Sequence, residues 1–415
     1  MSKKIIVIGG GIIGLCTAYY LQKEGHQVII VDQSNMDAGT SYVNAGYLSP
    51  SHIIPLAAPG VMKKGIKWMF NSASPLYIKP RLDLDFLKWA WAFNNSCNAT
   101  HVKKAIPVIK DISLLSQELY DEIKKSENFK CHYEKKGLLM LCQTDKMLEE
   151  EIDTAEIAKN TGLNVTTLSL SDLKKTEPNV TINAKGAVYY KCDSHSTPSE
   201  FMEEMKAYLI SLGVQIFKNE KVEDFEVSEG KIITIKTKGQ ILKADEFVLA
   251  AGCWSSFLTK KLGLNILLQA GKGYRINTEN ETGISIPAIL AEKKVAVTPM
   301  NGFTRFAGTM EIAEINNKLN GVRVDAIANA VSQYYPEIYL SKEEKENASS
   351  GLRPLSFDGL PYIGKSAKCN NLTIATGHAM MGWTMATATG KLVSEIISNK
   401  KSSINLEPFS VDRKN

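Results

Sequence analysis

Three glycines and one acid carry the first chemical reading. Gly9-x-Gly11-x-x-Gly14 follows the β-branched run Ile5-Ile6-Val7-Ile8 and opens a helical stretch, and Asp32 closes the next apolar run, Gln27 to Val31. In such a unit the first glycine permits a tight turn, the second lets backbone approach a pyrophosphate, and the third lets helix and strand pack closely. The helix N-terminus at Ile12 and Ile13 offers free N–H groups and a partial positive charge to phosphates. A carboxylate at the end of the second strand binds ribose hydroxyls, the role expected of Asp32, with Gln33 beside it. Glycine spacing alone also occurs in ordinary turns; strand, helix, strand and acid together identify a dinucleotide site. The unit by itself does not separate FAD from NAD.

Two later segments extend this site. Ala250-Ala251-Gly252, with Trp254 just beyond, ends one predicted strand, and Ala375-Thr376-Gly377 ends another. Ligands of open α/β sheets bind at these carboxyl ends. The second segment runs through His378, Met381, Gly382, Trp383 and Thr384 into a helix, so a second helix N-terminus points at the same ligand. Each glycine alone reads as a strand-end turn; the set suits a long cofactor spanning the first and last segments.

The elements that position these residues follow from periodicity. Helices are expected over Ile12–Glu24 (stopped by Gly25), 107–126, 147–159, 198–212 and 382–398. Thr197-Pro198-Ser199-Glu200 reads as a capping box. Strands are expected at 137–142, 214–217 and 372–375, with a hairpin turning at Lys238-Gly239 and ending in Gly252. At roughly 150 residues per domain, 415 residues imply two to three domains. The expected fold is α/β: a Rossmann-like dinucleotide-binding domain (FAD-binding, by the resemblance given below) from 1–80, 155–265 and 350–410, interleaved with a sheet-rich α+β substrate domain from 81–154 and 266–349.

Composition narrows the function class. Charged residues at 22% and apolar residues at 44% exclude a disordered or coiled-coil chain. A net charge of +5 without a clustered basic stripe gives no case for nucleic acid. The seven cysteines include no Cys-x-x-Cys pair and the six histidines no ligand-spaced pair, so neither a disulfide framework nor a metal site is expected, and the compartment reads as reducing. The apolar run from Ile5 to Leu21 after Lys3 and Lys4 imitates a signal peptide, but three central glycines and the lack of a cleavage site argue against one.

At this point the sequence resembles the D-amino-acid oxidase-like FAD-dependent oxidoreductases, most of all the D-amino-acid dehydrogenases among them. The matching stretches are 5–32, TSYVNAGYLSPS at 40–51, AAPGVMKKGIKWM at 57–69, ADEFVLAAGCWS at 244–255, KGYRI at 272–276, GLRPLSFDGLPYIG at 351–364 and ATGHAMMGWTMATATGKLVSEII at 375–397. The resemblance implies FAD and hydride transfer from a substrate Cα to the flavin. It places Thr40 and Ser41 along the pyrophosphate, and Asn44, Ala45 and Gly46 beside the isoalloxazine. Val222 lies at the adenine, and Gly377, His378, Gly382, Trp383 and Thr384 close around the flavin. It implies D-amino acids as substrates. A cyclic or secondary amine (D-proline, a hydroxy-D-proline or sarcosine), or glycine, would use the same fold, and a flavin-binding accessory subunit or a nicotinamide dehydrogenase are the remaining alternatives.

Arg353 falls where the resemblance implies a carboxylate clamp, and the residue type suits it, because a guanidinium grips a carboxylate through two parallel N–H bonds. A surface salt bridge is the ordinary alternative; Pro354 and Tyr362-Ile363 favour burial. Tyr274 reads either as a hydroxyl donor or lid, or as a core tyrosine. Arg305 reads either as a second anion contact or, somewhat better, as a solvent-facing strand residue. His52 follows the flavin-side loop and enters the site, His195 reads as a loop or capping residue, and His378 as a hydrogen-bonding partner rather than a base. Lys63, Lys64, Lys67, Lys79 and Arg81 lie among Trp68, Met69, Phe70 and Tyr77, followed by Trp89 and Trp91. This pattern suits either an anionic membrane surface or a buried excursion with solvated lysines. The resemblance implies a cytoplasmic enzyme, at the inner face of the membrane if that contact is made, passing electrons to quinone or another respiratory-chain component.

Overall fold

The structure, a computed structural model, describes residues 1–62, 74–79, 83–316 and 318–413. Two sheets dominate. The first has the strand order Gln215–Phe217, Gln27–Val31, Lys4–Ile8, Glu246–Leu249, Leu372–Thr376 and Tyr362–Lys365. Its pairs are parallel except the last. Both faces are covered, which is why its strands are continuous apolar runs rather than alternating ones. Ile5, Val7, Val28 and Ile30 enter one core cluster, and Ile6, Ile8, Ile29 and Val31 the other. Helices Ile12–Lys23 and Ala386–Ile397 pack on the first face.

The second sheet runs Ser349–Ser356, Leu268–Thr278, Phe303–Ile312, Val295–Met300, Ala288–Leu290, Leu138–Cys142, Gly186–Tyr190 and Val165–Ser169, with Leu76–Ile78 added beside Phe303–Ile312. Its long central pair, Leu268–Thr278 on Phe303–Ile312, is antiparallel and packs on helix Gly321–Tyr334. A three-stranded ribbon of Tyr47–Leu48, Ser194–Ser196 and Tyr133–Glu134 joins the loop at 40–46 to the rest.

Several local expectations change. Strands Val165–Ser169 and Gly186–Tyr190 belong to the second sheet, although the sequence grouped 155–265 with the dinucleotide unit. The hairpin at Lys238-Gly239 joins Lys231–Thr237 to Ile241–Leu242 only; Glu246–Leu249 leaves it for the first sheet, where it meets Lys4–Ile8. The Thr197 box does not form. Thr197 Oγ1 accepts from Asn301 N and lies against His132 Nδ1, and Glu200 is taken by His132 N and Asn301. His195 is a strand residue, not a cap. Helix Ala99–Ser126 starts earlier than expected, carried through Pro107, and the last helix starts later, at Ala386. Of the basic and aromatic stretch, Lys63, Lys64, Lys67, Trp68, Met69, Phe70 and Arg81 lie outside the described residues. Trp89 is core and donates to the Leu355 carbonyl, whereas Trp91 is 63% exposed.

The first and last helices touch at Gly390, where a Cβ would stand 2.5 Å from the Cys16 carbonyl. The contact is backbone, so nothing cheap can yield. Gly390→Ala is expected to cost about 1–3 kcal/mol in urea unfolding. Gly321→Ala, at a helical site with open space around it, is expected to be neutral or to stabilise by up to about 1 kcal/mol. Equal effects of the two would contradict the close approach.

Candidate active site

The carboxyl ends of the four central strands of the first sheet open into one cavity of about 1320 Å³, whose far wall is the second sheet. Its lining includes Gly9, Gly11, Ile12, Ile13, Asp32, Gln33, Thr40, Ser41, Asn44, Ala45, Val222, Ala251, Gly252, Trp254, His378, Met381, Gly382, Trp383 and Thr384, and also Arg353, Tyr274 and His52. Segments far apart in sequence converge because parallel strands of one sheet all point their carboxyl ends the same way.

The glycine loop has the shape that the motif requires. Gly9 turns at φ +111°, and a Cβ on it or on Gly14 would overlap backbone oxygen, of Ala250 and Gly9 respectively. Gly14 is thus a packing glycine and does not line the cavity; nor do Gly46 and Gly377, which turn the chain beside it at φ +77° and +82°. Asp32 accepts from Gly10 N at 2.7 Å through one oxygen and from the backbone and hydroxyl of Ser34 through the other. Three of about four carboxylate lone-pair sites are used, which leaves one for a ribose hydroxyl. Ser41 Oγ accepts from Ile12 N and so caps the helix N-terminus itself. Thr40 Oγ1 both donates to and accepts from the backbone of Leu352, tying this loop to the strand that carries Arg353.

Arg353 is the one guanidinium on the cavity wall among the described residues. Its Nη1 donates to the Thr309 carbonyl at 3.0 Å, and no carboxylate pairs with it among the described residues. Burial lowers it to about 10, so it stays charged at neutral pH. The space it fills exists because Gly273 faces it: a Cβ there would overlap Nη1 and Cζ. A buried cation without a counter-ion is costly unless a ligand supplies the anion.

The other substrate-side candidates fare differently. The Tyr274 ring lines the cavity, but its hydroxyl donates to Glu311 Oε2 at 2.7 Å, so it is held away from the donor role. His52 enters the site. Its Nδ1 meets Ser51 Oγ at 3.1 Å, and Ser51 Oγ donates to Asp193 at 2.6 Å. That chain puts the ring proton on Nδ1 and leaves Nε2 with a lone pair. Burial, chiefly, holds His52 near 4 and raises buried Asp193 to about 7. His378 is lowered to about 3 by burial, and its Nε2 meets Thr389 Oγ1 at 2.9 Å, consistent with a hydrogen-bonding role within the fold.

Arg305 is the clear correction. It is 3% exposed rather than solvent-facing, and it is absent from the cavity wall, so it is not an anion contact there. It donates from Nη1 to the carbonyls of Tyr42 and Asn44 and from Nε to Asn277, holding the 42–44 loop in place. The Ser51–Asp193 pair, Thr309 and Gly273 were not singled out by sequence. Asp193 and Ser51 are 142 positions apart, and no local pattern marks either.

The family model described as FAD dependent oxidoreductase matches residues 4–396. A D-amino acid dehydrogenase of Vibrio vulnificus (strain CMCP6) is 30% identical over 406 residues, 96% of this chain and 97% of that protein. Among solved structures, glycine oxidase from Geobacillus kaustophilus superposes with a TM-score of 0.79 at 20% identity, covering 100% of this chain and 99% of the other. L-proline dehydrogenase from P. horikoshii gives 0.74 at 18% identity, covering 99% and 97%. The last two are likenesses of fold.

Arg305→Met removes three hydrogen bonds and orphans two loop carbonyls. It is expected to cost roughly 2–4 kcal/mol in chemical denaturation. If Arg305 is a tie rather than an anion contact, KM for a carboxylate substrate moves by less than about threefold, under roughly 0.7 kcal/mol. A large KM effect with unchanged stability would reverse the assignment.

Proposed function

Because the chain belongs to the family of FAD dependent oxidoreductases, we propose that it is a D-amino-acid dehydrogenase, which oxidatively deaminates D-amino acids to 2-oxo acids and ammonia. The observation that carries this reading is Arg353. It is a charged guanidinium in the wall of the cavity onto which the dinucleotide loop opens, with no carboxylate of the described chain upon it. The preference for the D configuration is drawn from the relatives named D-amino acid dehydrogenase.

FAD fits the residues present: a glycine loop that lines the cavity, a carboxylate with a lone pair to spare, and one cavity continuous with the arginine. The Gly9–Ile13 turn would hold the pyrophosphate, Asp32 the ribose and Val222 the adenine. Asn44, Ala45 and the 381–384 segment would wall the ring. When bound, FAD supplies the acceptor for the two electrons that leave the substrate.

The chain's own residues supply the rest. Arg353 has donors left on Nη2, Nε and Nη1 after its bond to Thr309, enough to hold a carboxylate at two points and fix the substrate's orientation. Apolar walls, among them Tyr274, Met310 and Ile289, exclude water and disfavour the ammonium form, so the amine reaches its reactive neutral state more readily. His52, held neutral by burial, presents its Nε2 lone pair to the cavity as a hydrogen-bond acceptor for the substrate nitrogen. Ser51 and Asp193 hold the imidazole in that tautomer.

We further propose an electron acceptor at a membrane surface, a quinone or another respiratory-chain component. Leu84, Leu87 and Trp91, all exposed, fall on one face of helix Leu84–Ser96, which supports a surface contact. No helix among the described residues is long and apolar enough to cross a membrane.

The test is one anaerobic titration. D-alanine, D-proline, cis-4-hydroxy-D-proline, glycine and sarcosine are added in turn to the flavin-loaded protein. Bleaching of the flavin band by D-alanine and not L-alanine supports the reading; bleaching by a cyclic or secondary amine alone, or by glycine alone, would replace it. Arg353→Lys gives up the planar fork and should raise KM about 10–100-fold while FAD stays bound. Gly273→Ala, which pushes the same guanidinium aside, should raise KM in the same direction. Unchanged KM in both would sink the clamp.

A further inference from the structure

The three-stranded ribbon beside the cavity gathers three side chains that no sequence spacing announces. Strand period puts His132 and Glu134 on one face, and antiparallel register sets Glu134 opposite His195. Glu134 Oε2 lies 3.5 Å from His132 Nε2 and 3.5 Å from His195 Nε2, and the three groups offer atoms within 4.8 Å of one another. Ligands about 2.1 Å from a tetrahedral ion stand roughly 3.4 Å apart along each edge.

A second observation is independent of that spacing. His195 is fully buried, and neither of its ring nitrogens makes a hydrogen bond. Its polar neighbours include Glu134 Oε2 at 3.5 Å and the Pro299 backbone, neither in hydrogen-bonding geometry, and a buried imidazole so weakly satisfied is an exception that calls for a ligand or an ion. His132 shows the complementary feature: its other nitrogen, Nδ1, meets Thr197 Oγ1 at 3.1 Å, the kind of outer contact that fixes a metal-binding ring. His132 and Glu134 are partly exposed, so the cluster opens to solvent on one side. Lys136, half-exposed, pairs with the same Glu134 Oε2 at 2.9 Å, so an incoming ion must displace its ammonium.

We propose that His132, Glu134 and His195 bind one divalent transition ion of the zinc class, with a fourth position left to water. Two imidazoles and one carboxylate suit Zn²⁺ and disfavour Mg²⁺ and Ca²⁺, which take oxygen ligands. The ion ties Tyr133–Glu134 to Ser194–Ser196, the strand on which Tyr47–Leu48 is built, and so steadies the loop that brings Asn44 and Ala45 to the cavity. None of this depends on the substrate.

The experiment uses the flavin-loaded protein, stripped with chelator and then dialysed against Zn²⁺ alone, with zinc and flavin counted per chain. The expected result is one zinc per chain. It should fall to background in His132→Ala and Glu134→Gln, with flavin content unchanged, and Thr197→Val should bind about tenfold more weakly. Co²⁺ in place of Zn²⁺ should give the visible absorption of a tetrahedral site in the wild type and lose it in both ligand variants. Either of two results overturns the proposal: no zinc above background in the wild type, which leaves the cluster a simple ion pair, or an uptake that both ligand variants retain, which moves the ion to other groups such as the seven free thiols.

Discussion

The backbone contact between the first helix and the last sets the terms for everything else. Cys16 and Gly390 meet with no room for a side chain, so the N-terminal βαβ unit and the C-terminal segment become two halves of one layer. Once they are joined, the strands Lys4–Ile8, Glu246–Leu249 and Leu372–Thr376 lie side by side, and their carboxyl ends must open on the same space. The cavity is a consequence of that closure. The turn at Gly377 and Ala379, both at positive φ, is then held by Ala379 N on the Pro354 carbonyl, which brings Arg353 to the same place.

Two desolvated arginines show how the same residue type takes opposite roles. Arg305 spends its donors on the Tyr42 and Asn44 carbonyls and on Asn277, and its charge sits among fixed dipoles. Arg353 has one carbonyl, that of Thr309, and open space. Desolvation lowers both, to about 9 and about 10, yet both remain cations at neutral pH. The difference lies in unspent donors, because a cation with free N–H groups facing a cavity gains most from an arriving carboxylate, whereas one already satisfied gains little.

That contrast also marks how far sequence reasoning reaches. The glycine loop, Asp32 and the strand ends at Ala251 and Thr376 were legible because their requirements are local: a turn, a helix start, a strand boundary. Arg305 was misread because alternation along a strand says which face a residue takes, and not that the face is covered by a loop more than 260 positions earlier. Tyr274 was left between a hydroxyl donor or lid and a core tyrosine, because the acceptor that decides it, Glu311, lies on the neighbouring strand. The Thr197 capping box failed for the same reason: the local pattern was sound, but Asn301 and His132 claim its atoms. Strands Val165–Ser169 and Gly186–Tyr190 joined the second sheet because their partner is Leu138–Cys142, a pairing that periodicity cannot choose.

The segment 193–196 brings these threads together. Asp193 is buried and holds Ser51, and through it His52, at the cavity. Two residues on, the His195 ring meets Glu134 and His132. Ser196 then binds the indole of Trp383, which lines the cavity, and its amide takes the Gly46 carbonyl. One short strand therefore fixes the imidazole of the site, the loop at Gly46 and the aromatic wall, while its central residue is the buried histidine without a hydrogen bond. A ligand on that histidine acts on the strand from outside the cavity, with no atom of its own inside it.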